Sequence, residues 1–389
     1  MAKKRGNNEG SITRRPDGRW MAQVTIGRDP ATGKPKRATF YGKTRQEVAD
    51  KLTKALREKQ QGIFVAPHSL TLGEWLDTWL WEYKQPTLRP LSFDHYETVI
   101  RRYLKPALGH IPLQDLRPEQ VQRYYNEQVH HGFEASTLRH HHVALSQALA
   151  LAETHALVAR NVARLAAPPR LTHKERRTLT VDEVTTRLLP ALKTHRLYAA
   201  FLVFFTTGLR RGEVAGLRWQ DIDGQAAVLH IRQALVRTKN HAIGRTELVA
   251  QEPKTASSRR TIPLPDICQA ALRHHRAQQA EEKLRLGPGY TDQGLVFCRA
   301  NGAPIDPGTL DRAFSQALKR ADLPAIRLHD ARHTYATWLL EQGVSPKVVQ
   351  TMLGHSSIRI TMDVYSHVSL DLERQAAATL NAVLTRGLQ

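Results

Sequence analysis

Cysteine is scarce in this chain: only Cys268 and Cys298 occur among 389 residues. Two thiols build no disulfide framework and no Cys-based zinc site, and such usage fits a reducing cytoplasm. Long apolar runs are missing as well. No stretch approaches the roughly 18 apolar residues of a membrane-spanning helix. The opening Met1-Ala2-Lys3-Lys4-Arg5-Gly6 has no apolar segment behind its basic residues and does not read as a secretory signal. Internal repeats and low-complexity tracts are absent too, which excludes array and tail-like architectures. Acidic residues are few. Asp and Glu number 36 against 57 Lys and Arg, a formal net charge of +21. That excess repels itself unless a polyanion offsets it, so nucleic acid is the first partner to expect. The bland alternative is a generally basic, solvated surface.

What is present is ordinary globular material. Hydrophobic residues make up 41% and charged residues 24%, enough for a core in each of two or three domains. The expected fold class is α+β and multidomain, with boundaries at 1–63, 70–168 and 174–389. The first segment is the most basic, with 16 Lys and Arg against 6 Asp and Glu in residues 1–60. Alternation from Trp20 to Gly27, flanking turn signals, a strand over Arg37 to Tyr41 and a capping box at Thr44-Arg45-Gln46-Glu47 predict three short strands and one helix. A basic sheet face of this size fits a major groove, with Arg14, Arg15, Arg19, Lys36 and Arg37 as candidate contacts. Residues 62–69 read as a linker. Residues 70–166 then read as all-helical, opened by a second capping box at Thr71-Leu72-Gly73-Glu74. Helices are expected at 92–104, 118–130 and 136–155, with Arg139 on the last as a further DNA contact. After the linker 166–170 the chain is mixed. Helix is capped at Thr180, an apolar segment covers 199–205, strands lie at 226–231 and 260–264, and helix runs from Pro307 nearly to the end.

Four separated pieces of the last segment carry chemistry together. In Thr207-Gly208-Leu209-Arg210-Arg211-Gly212-Glu213, Gly208 permits a turn out of an apolar helix. Arg210 then opens the next helix, with Glu213 one turn on. Arginine's planar fork matches a phosphate, although an Arg–Glu pair on a helix surface is as common. Lys254 sits in what reads as a turn between strands, where lysines are mostly just solvated. In Leu328-His329-Asp330-Ala331-Arg332-His333, His329 and Arg332 share a helix face and aim an imidazole and a guanidinium at one point. In Leu353-Gly354-His355-Ser356-Ser357, Gly354 ends one helix and His355 starts the next. Tyr365 follows ten residues later; a lone tyrosine there is usually a core residue.

The order Arg, Lys, His-x-x-Arg, His, Tyr, with these flanking words, resembles the tyrosine recombinase (phage integrase) family over essentially the whole chain. The resemblance implies an arm-binding domain at 10–60, a helical core-binding domain at 70–166 and a catalytic domain behind them. Its catalytic set would be Arg210, Lys254, His329, Arg332, His355 and the nucleophile Tyr365, with Glu213 and His333 in support. It implies strand exchange through a 3′-phosphotyrosyl link, with no metal, ATP or cofactor. Lys254 would be the general acid, and His329 the best acceptor for the tyrosine proton. Partners would be double-stranded DNA with core-type and arm-type sites, a homo-tetramer on that DNA, and an excisionase or DNA-bending accessory protein, in the bacterial cytoplasm and away from membranes. Two rivals remain: a non-catalytic DNA-binding regulator on this scaffold, and a type IB topoisomerase.

Other features are set aside. The runs His140-His141-His142, His130-His131 and His274-His275 invite a metal reading, but adjacent helical residues point in different directions. They read as surface or phosphate-contacting histidines. Tyr335 lacks the Gly-His turn upstream and reads as structural. Trp75, Trp79 and Trp81 read as core. The tail, with Leu370, Leu372, Ala376, Leu380 and Leu384, packs on a neighbouring protomer or on its own domain.

Overall fold

The computed structural model describes residues 10–28, 34–60, 69–171, 177–241, 243–253 and 259–365, and 377, 378, 380, 381 and 385 beyond them. The chain divides into two compact units, Met1–His173 and Lys174–Gln389.

In the first unit, β1 (Ser11–Arg14), β2 (Trp20–Arg28) and β3 (Pro35–Gly42) form an antiparallel sheet in the order β1-β2-β3. Alternation puts Ala22, Val24 and Ala38 on the face that packs on Val48, Leu52 and Ala55 of helix Arg45–Gln60. Thr44 caps that helix, accepting from Glu47 N at 3.2 Å, and Glu47 reaches back to Lys43 N at 2.9 Å. A second cluster in this unit runs from Leu72 to Ala166 and is drawn mainly from helices. Its entry is the capping box at Thr71, whose Oγ1 accepts from Glu74 N at 3.3 Å while Glu74 Oε2 accepts from Thr71 N at 2.8 Å. Helix Pro118–His130 has the expected bounds, and Ala135–Thr154 lies one residue from them.

The helix expected at 92–104 is longer, continuous from Pro90 to Leu108 through a π-helical turn at Ile100–Leu104. Two more π-helical turns occur among the described residues, Trp79–Lys84 and Glu183–Leu188. All three end two residues before a proline: Pro86, Pro106 and Pro190. A proline ring crowds a carbonyl of the preceding turn and brings no N–H. Widening that turn swings the carbonyl clear, so at Pro106 and Pro190 the helix passes a residue that sequence rules treat as a stop, whereas at Pro86 it gives way to a turn.

The second unit is built around helix Tyr198–Thr207, whose residues 199–205 are all buried. Phe201 stacks on Phe314 of helix Pro307–Arg320 at 6.0 Å between ring centres. Two small sheets flank this core. β4 (Ile222–Asp223), β5 (Val228–His230) and β8 (Thr261–Pro263) form one, and β6 (Ala234–Asn240) with β7 (Arg245–Gln251) forms the other. The β6–β7 hairpin was not read from the sequence, because its charged residues blur the alternation. The strands on either side of residues 254–258, β7 and β8, belong to different sheets.

Gly208 closes helix Tyr198–Thr207 in the left-handed region at φ 61°. A Cβ there would lie 2.5 Å from Tyr335 Cδ1 and 2.6 Å from Leu353 Cδ2. Gly208→Ala is therefore expected to destabilise the second unit by about 1–3 kcal/mol, through backbone strain and overlap together. Thermal melting checks this; an unchanged midpoint would refute the packing account.

Candidate active site

Arg210 is the N-cap of helix Arg211–Ala215. Its backbone N–H donates to Glu213 Oε2 at 2.9 Å and its Nη1 to Glu213 Oε1 at 2.8 Å. Glu213 is 4% exposed and takes two further bonds, from Arg260 Nη1 at 3.2 Å and Nη2 at 3.0 Å. Burial alone would raise the Glu213 carboxyl. The Arg260 and Arg210 guanidiniums outweigh it and hold that carboxyl below the usual carboxylate range.

Three arginines from distant parts of the chain meet at one helix end. Helix Pro346–Leu353 stops at Gly354, which is left-handed at φ 66°. Its last carbonyls would be without intrahelical partners. Arg260 Nε donates to Met352 O at 2.7 Å, Arg332 Nη2 to Leu353 O at 2.6 Å, and Arg210 Nη2 to Gly354 O at 3.2 Å. Arg332 Nη1 also donates to Gly208 O at 2.8 Å. Arg332 thus bridges the C-terminal ends of two helices, where a cation complements the dipoles. Burial and then the Arg210 charge lower its pKa to about 9, so it remains protonated at neutral pH. The Arg210 side chain is 39% exposed, against 5% for Arg260. Arg210 is the more open of the two to an incoming phosphate.

His355 follows the Gly354 turn. Its Nδ1 lies 2.9 Å from Thr361 Oγ1 of helix Ile358–Tyr365, and both residues are buried. Burial, with the Arg332 and Arg210 charges behind it, lowers its pKa to about 3. At neutral pH it is an uncharged hydrogen-bonding group.

The sequence-predicted residues do not all gather here. Arg210, Glu213, Arg332 and His355 do. His329 and Arg332 share helix Leu328–Glu341, but Arg332 is buried and His329 is exposed, its ring 5.3 Å from that of His333. A three-residue step is 300° of turn, so the two stand about 60° apart around the helix, Arg332 inside the core boundary and His329 outside it. Lys254 lies outside the described residues; Glu252 and Arg259 on either side of its segment form an ion pair. Tyr365 ends helix Ile358–Tyr365, and its side chain is outside what is described. Most of the tail is outside as well, except for Leu380, which is exposed. Tyr335 is buried against Gly208, with its hydroxyl 3.8 Å from Met352 Sδ. Arg260 was missed. Its sequence signal is its place at the start of the strand read at 260–264, where its backbone oxygen accepts from Ile231 N at 2.9 Å.

In the first unit, Arg14, Arg15, Arg19, Arg37 and Arg139 are exposed; nothing is described of the Lys36 side chain. Arg14, Arg15 and Arg19 cluster at the β1–β2 turn, with Arg15 over the Tyr41 ring at 5.4 Å. Arg37, opposite Thr25, lies toward the other end of the sheet. The histidine runs need correction too. His141 is fully buried, its Nδ1 2.7 Å from the Tyr124 hydroxyl, and His275 is buried with Nε2 2.8 Å from Val296 O. Both are core histidines because each has a hydrogen-bond partner there. Trp75 and Trp79 are core, whereas Trp81 is exposed and packs edge-on against Phe93. Among the described residues no group of three or more His, Cys, Asp or Glu is placed to hold a metal, and no helix is long and apolar enough to cross a membrane.

Residues 177–371 match the phage integrase family, and residues 71–128 match the phage integrase N-terminal SAM-like domain. A protein of Caldanaerobacter subterraneus subsp. tengcongensis named tyrosine recombinase XerC-like is 36% identical over 377 residues, covering 93% of this chain and 95% of its own. Among solved structures, the Tn1549 transposon integrase in complex with transposon right end DNA superposes with a TM-score of 0.68 at 21% identity, covering 80% of this chain and 99% of that one. A lambda integrase tetramer bound to a Holliday junction gives 0.56 at 21% identity, covering 93% of this chain and 96% of that one. These two are likenesses of fold.

Proposed function

The chain belongs to the phage integrase family of tyrosine recombinases, and from that premise we propose that Tyr365 cuts and rejoins DNA strands at a defined site, moving a mobile element in and out of a chromosome. The observation that carries the site assignment is the convergence of Arg210, Glu213, Arg332 and His355 at the helix end just ahead of the Tyr365 helix.

The tyrosine oxygen attacks the scissile phosphorus, the bond to the 5′ oxygen breaks, and a 3′-phosphotyrosyl link forms. A 5′-hydroxyl from the partner strand then attacks the same phosphorus and releases the tyrosine. Phosphodiester energy is conserved in the link, so ATP has no role. Negative charge grows on the non-bridging oxygens, where Arg210 and Arg332 act most strongly as it develops. His355, uncharged, offers Nε2–H while its Nδ1 accepts from Thr361. Lys254 protonates the leaving 5′ oxygen. His329 takes the phenol proton, since a phenol near pKa 10 is a weak nucleophile unaided. Glu213 orients Arg210, and is itself held by Arg260, without reacting. The basic first sixty residues hold arm-type DNA through Arg14, Arg15, Arg19, Lys36 and Arg37, and the helical segment 70–168 contributes Arg139. Four protomers act on two DNA sites.

Covalent capture tests this. The protein is incubated with fragmented DNA from its own genomic neighbourhood, denatured and recovered, and the attached DNA is sequenced. One discrete adduct position is expected. Adducts scattered over all sequences would point to a topoisomerase. Tight binding with no adduct would point to a regulator.

A further inference from the structure

We infer that Arg260 is a positioning residue for strand cleavage: it locks Glu213, and through it Arg210, to the helix end from which the His355–Tyr365 segment departs. The inference rests on the strand-transfer reading above. The Arg260 side chain is 5% exposed, so it does not meet solvent-borne DNA as a surface cation does. Its bonds run inward in two directions: Nη1 and Nη2 to the two Glu213 oxygens, and Nε to Met352 O. Only a planar fork satisfies both directions at once; a lysine ammonium is a single point. Without Arg260, Glu213 would keep only the bonds from Arg210, and a buried carboxylate with fewer donors is a looser anchor. Arg210 would then keep its charge and lose its aim. Position along the chain adds to this. Arg260 lies six residues after Lys254 and directly ahead of β8, so the start of that strand is tied to the same helix end. Its neighbour Arg259 is exposed and pairs with Glu252, which supplies an internal control of equal charge.

The test follows adduct formation by the full chain on its captured site, with a natural phosphodiester or with a methylphosphonate at the scissile position. The methyl group replaces an ionised oxygen, so the transition state leans less on Arg210. Arg260→Gln is expected to bind DNA like the wild type and to form adduct on the order of 10²-fold more slowly on the phosphodiester. Relative to the wild type, most of that deficit should close on the methylphosphonate, as it should for Arg210→Ala. If Arg260→Gln fails to fold, Arg260→Lys, which keeps the charge without the fork, carries the same comparison. Arg259→Gln should stay within about twofold of the wild type, as an exposed pair contributes little. A wild-type rate in the Arg260 variants overturns the inference. So does an equal deficit on both substrates, the mark of a merely structural role. Absence of adduct from the wild type overturns the strand-transfer reading, and this inference with it.

Discussion

Tyr365→Phe is expected to abolish the covalent DNA adduct while leaving DNA affinity within experimental error of the wild type. The substitution removes one oxygen and keeps the ring, so helix Ile358–Tyr365 retains its apolar content. Tyr335 is buried beside Gly208, where burial raises its pKa to about 12, and a phenol so placed neither ionises readily nor meets a phosphate. Denaturing electrophoresis of radiolabelled site DNA, beside a native shift assay, separates the two properties. Residual adduct would move the nucleophile elsewhere. Lost binding would mean that Tyr365 holds structure as well as chemistry.

Glu213→Ala should produce the largest loss of stability of any single change at the site. Glu213 and Arg260 side chains are each 5% exposed. Removing one partner of such a pair leaves the other charge buried and uncompensated, at a cost of about 3–5 kcal/mol. Denaturant unfolding of the full chain measures it, and a loss below about 1 kcal/mol, the range of exposed pairs, would show that the pair is solvated. The same cluster sets an acid limit. Glu213 has a depressed folded pKa, so its contribution is complete above the unfolded carboxylate range and disappears as pH falls through its lower folded value. His355 acts over a higher window. Its folded pKa is about 3 against an ordinary 6.5, so between those values the unfolded chain binds a proton that the folded chain refuses. Stability therefore declines as pH drops from 6.5 toward 3. Unfolding midpoints that stay flat from about pH 7 to about pH 5 would contradict the burial of His355.

Much of this was legible beforehand because it is local. The capping boxes at Thr44, Thr71 and Thr180 each formed, as three-residue spacing alone brings the partners together. Gly208 and Gly354 are both left-handed, as turns out of helices require. What escaped was set by long-range contact. Pro106 did not stop its helix, because a widened turn absorbs it. His141 was taken for a surface residue; the Tyr124 hydroxyl that makes its burial tolerable lies 17 positions away. Arg260 was passed over because its partners, Glu213 and Met352, lie 47 and 92 positions from it. No spacing rule reaches that far.

The three arginines at the end of helix Pro346–Leu353 all grip main-chain oxygens, of Met352, Leu353 and Gly354. A carbonyl is the same whatever side chain its residue carries. For these bonds, then, the spelling of positions 352 and 353 is nearly free, and what limits it is the apolar packing of Met352 and Leu353. Their count is not free. Adding or deleting one residue between Pro346 and Gly354 would rotate every oxygen by 100° about the helix axis and present each guanidinium with the wrong neighbour. Insertions and deletions in this short helix are thus far more damaging than replacements, and the length of the segment, more than its composition, is what the site preserves.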